Sequence, residues 1–267
     1  MSSKKNKFVD AHNHLSMTAY KHEEIIDMIC EQAYANRLEF MIVNGGHAEE
    51  NKEVIKLAKK YPDLIKPVIG IHPEDGIDEN DYLRYKDLID ETIFGIGEIG
   101  LDYFYEEGVP SRENQIKSFR NQIKLAQELN LPIVVHIRDK IDQYQAYQDV
   151  YDILKEFPNI KVMLHTFAGN MDWAKKFLEF KNLYFSFSGA VTYGTTNQTR
   201  DIIEFLPLER ILTETDAPFL RVHPYTEQKN EPNTVLFVAY YIAGIKKVGM
   251  DKFTDRINKN LRNLFNL

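Results

Sequence analysis

Short apolar runs alternate with amphipathic segments along the whole chain. The apolar runs are rich in Val, Ile, Leu and Phe, which is typical of buried parallel strands. Eight runs are present, at 7–12, 40–46, 65–72, 93–100, 132–138, 160–167, 183–189 and 210–218. Apolar residues recur at helical spacing between them, at 22–37, 51–61, 79–91, 112–130, 147–157, 172–180, 199–206 and 234–266. The pattern predicts eight strands, each followed by a helical segment.

This alternation has the dimensions of a (β/α)8 barrel. Each unit takes roughly 30 residues, the size of one strand and its helix. Eight such units in 267 residues match the length of a barrel, and a doubly wound open sheet is the alternative. Because no Pro/Gly/Ser-rich linker divides the chain, we predict an α/β fold, a (β/α)8 or TIM barrel, in a single domain over residues 1–267.

Polar residues occur at the predicted strand ends, where a barrel of this kind carries its active site. In strand order they are His12, His14, Asn44, His72, Glu98, His136, His165, Ser188 and Asp216. One such residue alone is more simply a buried histidine bonded to a carbonyl, or a helix cap. Five of the eight histidines lie in this set, however. We therefore expect the set to meet at one site.

Histidines and carboxylates in this number suit two divalent cations. His12 and His14 are expected to hold the first ion. Glu98 can bridge both, because a carboxylate has two oxygens and its charge offsets the repulsion between the cations. Two ions roughly 3.5–4 Å apart activate a water for hydrolysis, and Asp216 can bind an ion and accept the proton of that water. The pattern predicts a hydrolase with Glu98 and Asp216 as catalytic residues.

Composition narrows the partners and the compartment. The formal net charge of −7 argues against a generally basic nucleic-acid surface, but it permits a phosphate substrate bound through cations. Cys30 is the one cysteine and cannot form an internal disulfide, so we expect a cytoplasmic protein. No stretch approaches the roughly 18 apolar residues of a membrane span. We expect no membrane association, and no obligate protein partner is evident.

Seven short motifs resemble those of the TatD-type metal-dependent hydrolases and follow in the family's order. They are DAHNHL (10–15), GIHPE (70–74), GEIGLDY (97–103), VHIRD (135–139), LHTFAG (164–169), TETDAP (213–218) and NEPN (230–233). The resemblance implies a (β/α)8 barrel of the amidohydrolase superfamily. It also implies deoxyribonuclease activity that depends on a divalent metal.

The resemblance also implies a division of the ligands between two ions. One ion is expected to bind His12, His14, Glu98 and Asp216, and the other Glu98, His136 and His165. Mixed histidine and carboxylate ligands accept Zn, Mn, Ni or Co, and Mg suits activity with added metal. The identity of the ions is therefore left open.

Two further residues at strand ends are predicted to contact the substrate. His72 is expected to contact a phosphate rather than a metal, with positioning of the following turn as its alternative role. Arg138 suits a phosphate, and a structural salt bridge with Asp139 or Glu106 is the alternative.

Two predicted substrate contacts lie in loops. Tyr103, Phe104 and Tyr105 lie in the loop after the fourth strand. One of them, with Tyr103 as the named candidate, is expected to stack on an unpaired base, and packing of that loop is the alternative. Lys229 stands where the resemblance expects an arginine, so it keeps the charge and loses the bidentate fork. Thr166, Ala168 and Ser16 also depart from the family's usual residues, Cys, Ser and Asp. None of these departures is a predicted metal ligand.

The leading function is a metal-dependent deoxyribonuclease that acts on single-stranded or frayed DNA. The alternative is an amide or ester hydrolase of the amidohydrolase superfamily, for example in D-aminoacyl-tRNA deacylation. A third possibility is a metal-binding scaffold without catalysis. Asp216 argues against the scaffold, because a purely structural site does not need a base beside an open position.

Overall fold

The computed structural model describes residues 7–105 and 107–267. Within these residues eight parallel strands pair in chain order, from the first to the eighth. They are β1 (Phe8–Asn13), β2 (Leu38–Asn44), β3 (Ile65–Ile69), β4 (Gly95–Asp102), β5 (Ile133–Arg138), β6 (Val162–Leu164), β7 (Leu183–Phe187) and β8 (Ile211–Thr213). A doubly wound sheet would reverse its order at a switch point. The unbroken order confirms the predicted (β/α)8 barrel.

Helices cover the outside of the strands. Over the described residues the α-helices are α1 (Met17–Tyr20), α2 (Glu23–Ala35), α3 (Ala48–Lys60), α4 (Arg112–Glu128), α5 (Gln145–Lys155), α6 (Met171–Leu178), α7 (Asn197–Phe205), α8 (Val235–Lys246) and α9 (Met250–Phe265). The stretch predicted as one helical segment at 234–266 forms two helices. The backbone of Lys247 has a left-handed conformation (φ 53°), which ends α8. In the described part of the chain, no helix has the length and apolar character needed to cross a membrane.

The prediction of a helix over residues 79–91 is wrong. This segment forms two short 3-10 turns, Asp81–Arg84 and Lys86–Leu88. The Asp78 carboxylate accepts the N–H of Asn80 at 2.7 Å, and the Asp81 carboxylate accepts that of Asp78 at 3.2 Å. Such local bonds compete with helix formation. Buried Tyr85 anchors the segment by donating its hydroxyl to Gln122 at 3.0 Å.

The strands that carry the predicted site pack closely in the barrel interior. All residues of β1 and β4 are buried. Gly100 in β4 has a φ of 146° and lies against the carbonyl oxygen of His136 in β5, where a Cβ atom would collide with the backbone. Glycine at position 100 therefore permits the close approach of β4 to β5 beside His136.

The barrel closes where β1 meets residues 215–217, which follow β8. We call this junction the seam. The Asp216 N–H donates to the carbonyl of His12 at 2.9 Å, and the His14 N–H donates to the carbonyl of Ala217 at 2.7 Å. The backbone bonds that close the barrel therefore also fix His12 in β1, and His14 just after it, opposite Asp216.

A buried carboxyl group, whose pKa burial raises to about 8, reinforces the seam. Asp10 is fully buried and accepts the backbone N–H of Thr215 at 2.8 Å and the Thr215 hydroxyl at 2.6 Å. It also accepts the N–H of His12 at 3.3 Å and the side-chain amide of Asn13 at 3.1 Å. Because these donors are buried, each would lack a partner without Asp10.

We expect Asp10→Ala to lower the free energy of unfolding by at least about 3 kcal/mol, because it strands several buried donors. Urea denaturation followed by circular dichroism measures the change. Asp63→Ala, at an exposed aspartate, is the matched control and should stay within about 0.5 kcal/mol of the parent. Equal stabilities for the two variants would contradict this role for Asp10.

Candidate active site

A cavity of about 1180 Å³ opens at the carboxyl ends of the strands. Most of the predicted site residues line it, namely His14, His72, Glu98, His136, Arg138, His165, Asp216 and Lys229. His12 lies beneath them and is fully buried. Tyr103 does not line the cavity. The barrel therefore gathers every predicted metal ligand at one end.

Glu98 lies at the centre of the predicted ligands and is 3% exposed. Its Oε2 atom faces the Nε2 atoms of His12 and His14 at 3.4 and 3.2 Å. Its Oε1 atom faces His136 Nδ1 at 2.9 Å and His165 Nε2 at 3.1 Å. The two oxygens of one carboxylate thus face two different pairs of histidines. A ligand that bridges two cations needs this arrangement.

His12, His14 and Asp216 form the first candidate ligand group. The two Nε2 atoms lie 3.0 Å apart, and Asp216 Oδ1 lies 3.4 and 3.7 Å from them. Ligand atoms bound at about 2.1 Å to one cation are separated by about 3–3.5 Å in tetrahedral or octahedral geometry. His14 Nδ1 also faces the carbonyl of Asn44 at 3.2 Å, which leaves Nε2 free to bind. The group therefore fits a divalent cation.

Two carboxylates that the sequence analysis did not assign support the second pair of histidines. Asp102 Oδ2 lies 2.8 Å from His136 Nε2, and Glu214 Oε1 lies 3.1 Å from His165 Nδ1. A carboxylate behind a ligating histidine fixes its tautomer and orientation. Both residues lie inside motifs already quoted, GEIGLDY and TETDAP, so their position in these motifs was the available signal.

Asp216 and Thr166, which lie beside the candidate ligands, have left-handed backbone conformations. Asp216 has a φ of 53° and Thr166 a φ of 38°. A β-branched residue rarely adopts this region and needs surrounding bonds to hold it there. Glu214 supplies them, because its Oε1 accepts the Thr166 N–H at 2.7 Å and also the Thr166 hydroxyl. Glu214 therefore holds both His165 and the loop that follows it.

Two further groups have the spacing of a metal site: His12 with Glu98 and His165, and His72 with Glu98 and His136. The structure thus places His165 near His12 as well as on the predicted second side of Glu98, and His72 Nε2 lies 3.7 Å from Glu98 Oε1. His72 Nδ1 accepts the backbone N–H of Glu74 at 3.3 Å, so the proton of the neutral ring lies on Nε2. Burial outweighs the nearby Glu98 charge and lowers the pKa of His72 to about 3. A neutral ring that presents an N–H to the cavity suits a hydrogen bond to substrate better than metal ligation.

The histidines on both sides of Glu98 bind protons tightly when no cation is bound. Burial opposes a charge on His14, but its hydrogen bond to Glu98 and the charges of Glu98 and Asp216 raise its pKa to about 9. Burial likewise opposes a charge on His136, but Asp102 and Glu98 raise its pKa to about 9. Both rings are protonated at neutral pH, so a cation must displace these protons to bind.

Two of the predicted substrate contacts differ in placement. Tyr103 is turned away from the cavity, because its hydroxyl donates to Asp149 at 2.8 Å. Its alternative role, packing of the loop, matches this position. Arg138 does line the cavity, and its NH1 lies 4.0 Å from Asp102 Oδ2. Of its two alternative partners, Glu106 lies outside the described residues, and the Asp139 carboxylate accepts the backbone N–H groups of Lys140 and Ala146.

Lys229 reaches the cavity from the loop between β8 and α8. Its ammonium donates to the carbonyl of Ala19 at 2.6 Å and lies 5.4 Å from the centroid of the Tyr20 ring. These contacts tie the loop to α1. Because one of its donors is used in this way, Lys229 is a weaker anion contact than Arg138.

We expect Mn²⁺ binding near pH 7.5 to release about three protons, because the pKa of His14 and of His136 is about 9 and the pKa of His165 lies well above its usual value. The apparent affinity should then rise with pH up to about 9. Isothermal titration calorimetry in buffers of different ionisation enthalpy counts the protons. His14→Ala should release one fewer proton, while His223→Ala, at an exposed histidine outside the cavity, should match the parent. Binding without proton release would contradict ligation by these histidines.

Comparisons with known proteins agree with the fold and the motifs. YabD of Bacillus subtilis (strain 168), named a metal-dependent hydrolase, is 34% identical over 263 residues, covering 97% of this chain and 98% of YabD. YcfH of Escherichia coli (strain K12), also named a metal-dependent hydrolase, is 31% identical over 267 residues, covering 97% and 96%. The crystal structure of YJJV, a TatD homolog from Escherichia coli k12, superposes with a TM-score of 0.86 at 25% identity, covering 97% and 98%. Residues 9–266 match the family model described as TatD related DNase, and the chain belongs to this family.

Proposed function

We propose that the protein is a deoxyribonuclease that hydrolyses phosphodiester bonds of single-stranded or frayed DNA. Membership of the TatD family makes it a metal-dependent hydrolase, and cleavage of DNA is the proposed part. The observation that carries the proposal is the position of Glu98, whose two oxygens face separate pairs of histidines. Two-cation centres of this kind occur in nucleases and phosphatases.

In this proposal the ligands divide into two groups that share Glu98. His12, His14 and Asp216 would hold one cation. His136 and His165, which both face Glu98 Oε1, would hold the other. Divalent ions bound there would supply positive charge and Lewis acidity to a phosphate group. Nitrogen and oxygen ligands of this kind accept Zn, Mn, Ni, Co or Mg.

Three side chains act on the substrate directly. Asp216 lines the cavity beside the first ligand group and accepts the proton of the attacking water. His72 lines the cavity, and because its Nδ1 accepts the N–H of Glu74, its Nε2–H donates to a phosphate oxygen. Arg138 offers a planar fork of donors, which matches a phosphate.

The rest of the lining is acidic and makes DNA binding depend on the cations. Glu50, Glu74, Asp75 and Glu227 line the cavity, against one arginine and one lysine. A polyanion would be repelled by this surface unless bound cations offset the carboxylates. Chelation should therefore weaken DNA binding as well as catalysis.

The same acidic lining favours a second candidate. Hydrolysis of an amide or carboxylic ester, as in D-aminoacyl-tRNA deacylation, would present a cationic amino group to these carboxylates. The two candidates differ in their need for Arg138, because an amide or carboxylic ester has no phosphate at the scissile bond.

We expect chelated protein reloaded with Mn²⁺ or Mg²⁺ to shorten an end-labelled single-stranded oligonucleotide. Glu98→Gln should lower kcat/KM at least about 100-fold, because it removes the bridging charge from both ligand groups. Gel analysis of the labelled products measures both rates.

Glu227→Gln is the matched control, since it removes the same charge from the cavity lining without touching a predicted ligand. It should keep the parental rate or exceed it. Failure of the metal-loaded parent to cleave DNA would reject the deoxyribonuclease and favour the amide or ester substrate.

We expect Arg138→Ala to raise KM for DNA about 10-fold or more, through loss of a charged hydrogen bond to phosphate. The dependence of log KM on log salt should also become shallower by about 0.7, the value for one lost single-strand contact. Arg138→Lys should restore the salt dependence and only part of the affinity. Lys181→Ala, at an exposed lysine outside the cavity, should change neither. An unchanged salt slope in Arg138→Ala would contradict the contact.

A further inference from the structure

Three large aromatic side chains are exposed near the catalytic residues. Phe219 is 60% exposed, Phe104 37% and Tyr105 46%. Phe219 and Tyr105 line the cavity, and Phe104 packs edge-to-face against Tyr105 with ring centroids 5.0 Å apart. Exposed aromatic surface beside a cavity is typical of a ligand-binding surface.

These aromatic residues lie on opposite sides of the barrel. Phe219 follows β8, and its ring lies 6.4 Å from the ring of His14, the residue after β1. Phe104 and Tyr105 follow β4, whose neighbour β5 carries Arg138. In an eight-stranded barrel with its strands in chain order, β4 and β8 are four strands apart and therefore face each other. The ligand pairs of Glu98 lie between the two aromatic surfaces.

The surface that follows β4 combines apolar rings with a cation. The Arg138 guanidinium carbon lies 4.0 Å from the Phe104 ring centroid and 5.2 Å from that of Tyr105. Arg138 NH1 is also 3.4 Å from the Tyr105 hydroxyl. The rings thus hold the guanidinium against one wall of the cavity. A base stacked on Tyr105 would place its own phosphate beside a donor that is already positioned.

We propose that Phe219 and Tyr105 stack against the two nucleobases that flank the scissile phosphate. This proposal rests on the proposed deoxyribonuclease and adds its means of selecting unpaired strands. Ring faces accept any base, so the sites would be tolerant of sequence. A paired base has both faces covered by its neighbours, so a duplex would have to fray by at least two nucleotides before it could bind.

The test combines protein variants with single-stranded substrates that lack one base. Phe219→Leu and Tyr105→Leu should each raise KM about 5- to 100-fold, the range expected for one lost stack, with kcat changed less than about threefold. Phe219→Tyr and Tyr105→Phe keep a ring and should retain the parental KM. Phe237→Leu on α8, at a 50% exposed ring outside the cavity, is the matched control.

Oligonucleotides with a tetrahydrofuran residue in place of the nucleotide on one side of the cleaved bond identify the partner of each ring. The KM of the parent for one such substrate should rise by the same factor as the KM of a leucine variant rises for intact DNA. That variant should lose little more on the same substrate, because the stack is already absent. Losses that multiply independently would overturn the proposal.

The outcomes separate the two proposals. Cleavage by the parent, with leucine variants that match it, overturns the stacking sites and leaves the deoxyribonuclease standing. Equal losses in the leucine and the conservative aromatic variants also overturn stacking, since they would report packing alone. If the metal-loaded parent cleaves no DNA, the proposed function fails and the stacking sites fail with it.

Discussion

The seam between β1 and residues 215–217 is the constraint on which the site depends. A barrel of eight strands must join its first strand to its last, and here the join falls at the carboxyl end, where the histidines of β1 lie. Asp216 reaches His12 through its own backbone N–H, and Asp10 holds the neighbouring Thr215 by two bonds. The hydrogen bonds that close the barrel therefore also bring the first ligand group together.

The buried charged groups at this end of the barrel lower the stability of the fold. Burial opposes ionisation of Glu98, yet His165 and His12 hold its pKa well below its usual value. Glu214 is fully buried and keeps a lowered pKa through His165 as well. Without a cation, protons on the histidines balance these carboxylates. A divalent cation bound there would replace the protons. The cluster is therefore suited to binding a metal rather than to packing in a core.

The residues that sequence analysis located are those tied to a strand. His12, Glu98 and His136 lie within strands, where apolar runs mark the end that carries the site. The TETDAP motif marked Glu214 as a residue near the site, but its contact with His165 is visible only in the folded chain. Three consecutive aromatic residues follow β4, and alternation no longer applies in a loop. The sequence therefore offered all three residues with Tyr103 named first, and only the structure shows that Tyr103 faces Asp149 while Tyr105 lines the cavity.

The acidic cavity, with Phe219 and Tyr105 in its lining, explains how a protein of net charge −7 would bind DNA. Such binding would not use an extended basic surface, because the lining repels phosphates wherever no cation or arginine lies. Binding then depends on a few local contacts, namely the cations, Arg138 and ring faces such as that of Phe219. Such a footprint covers about two nucleotides, and it favours strand ends because bases there are already unpaired.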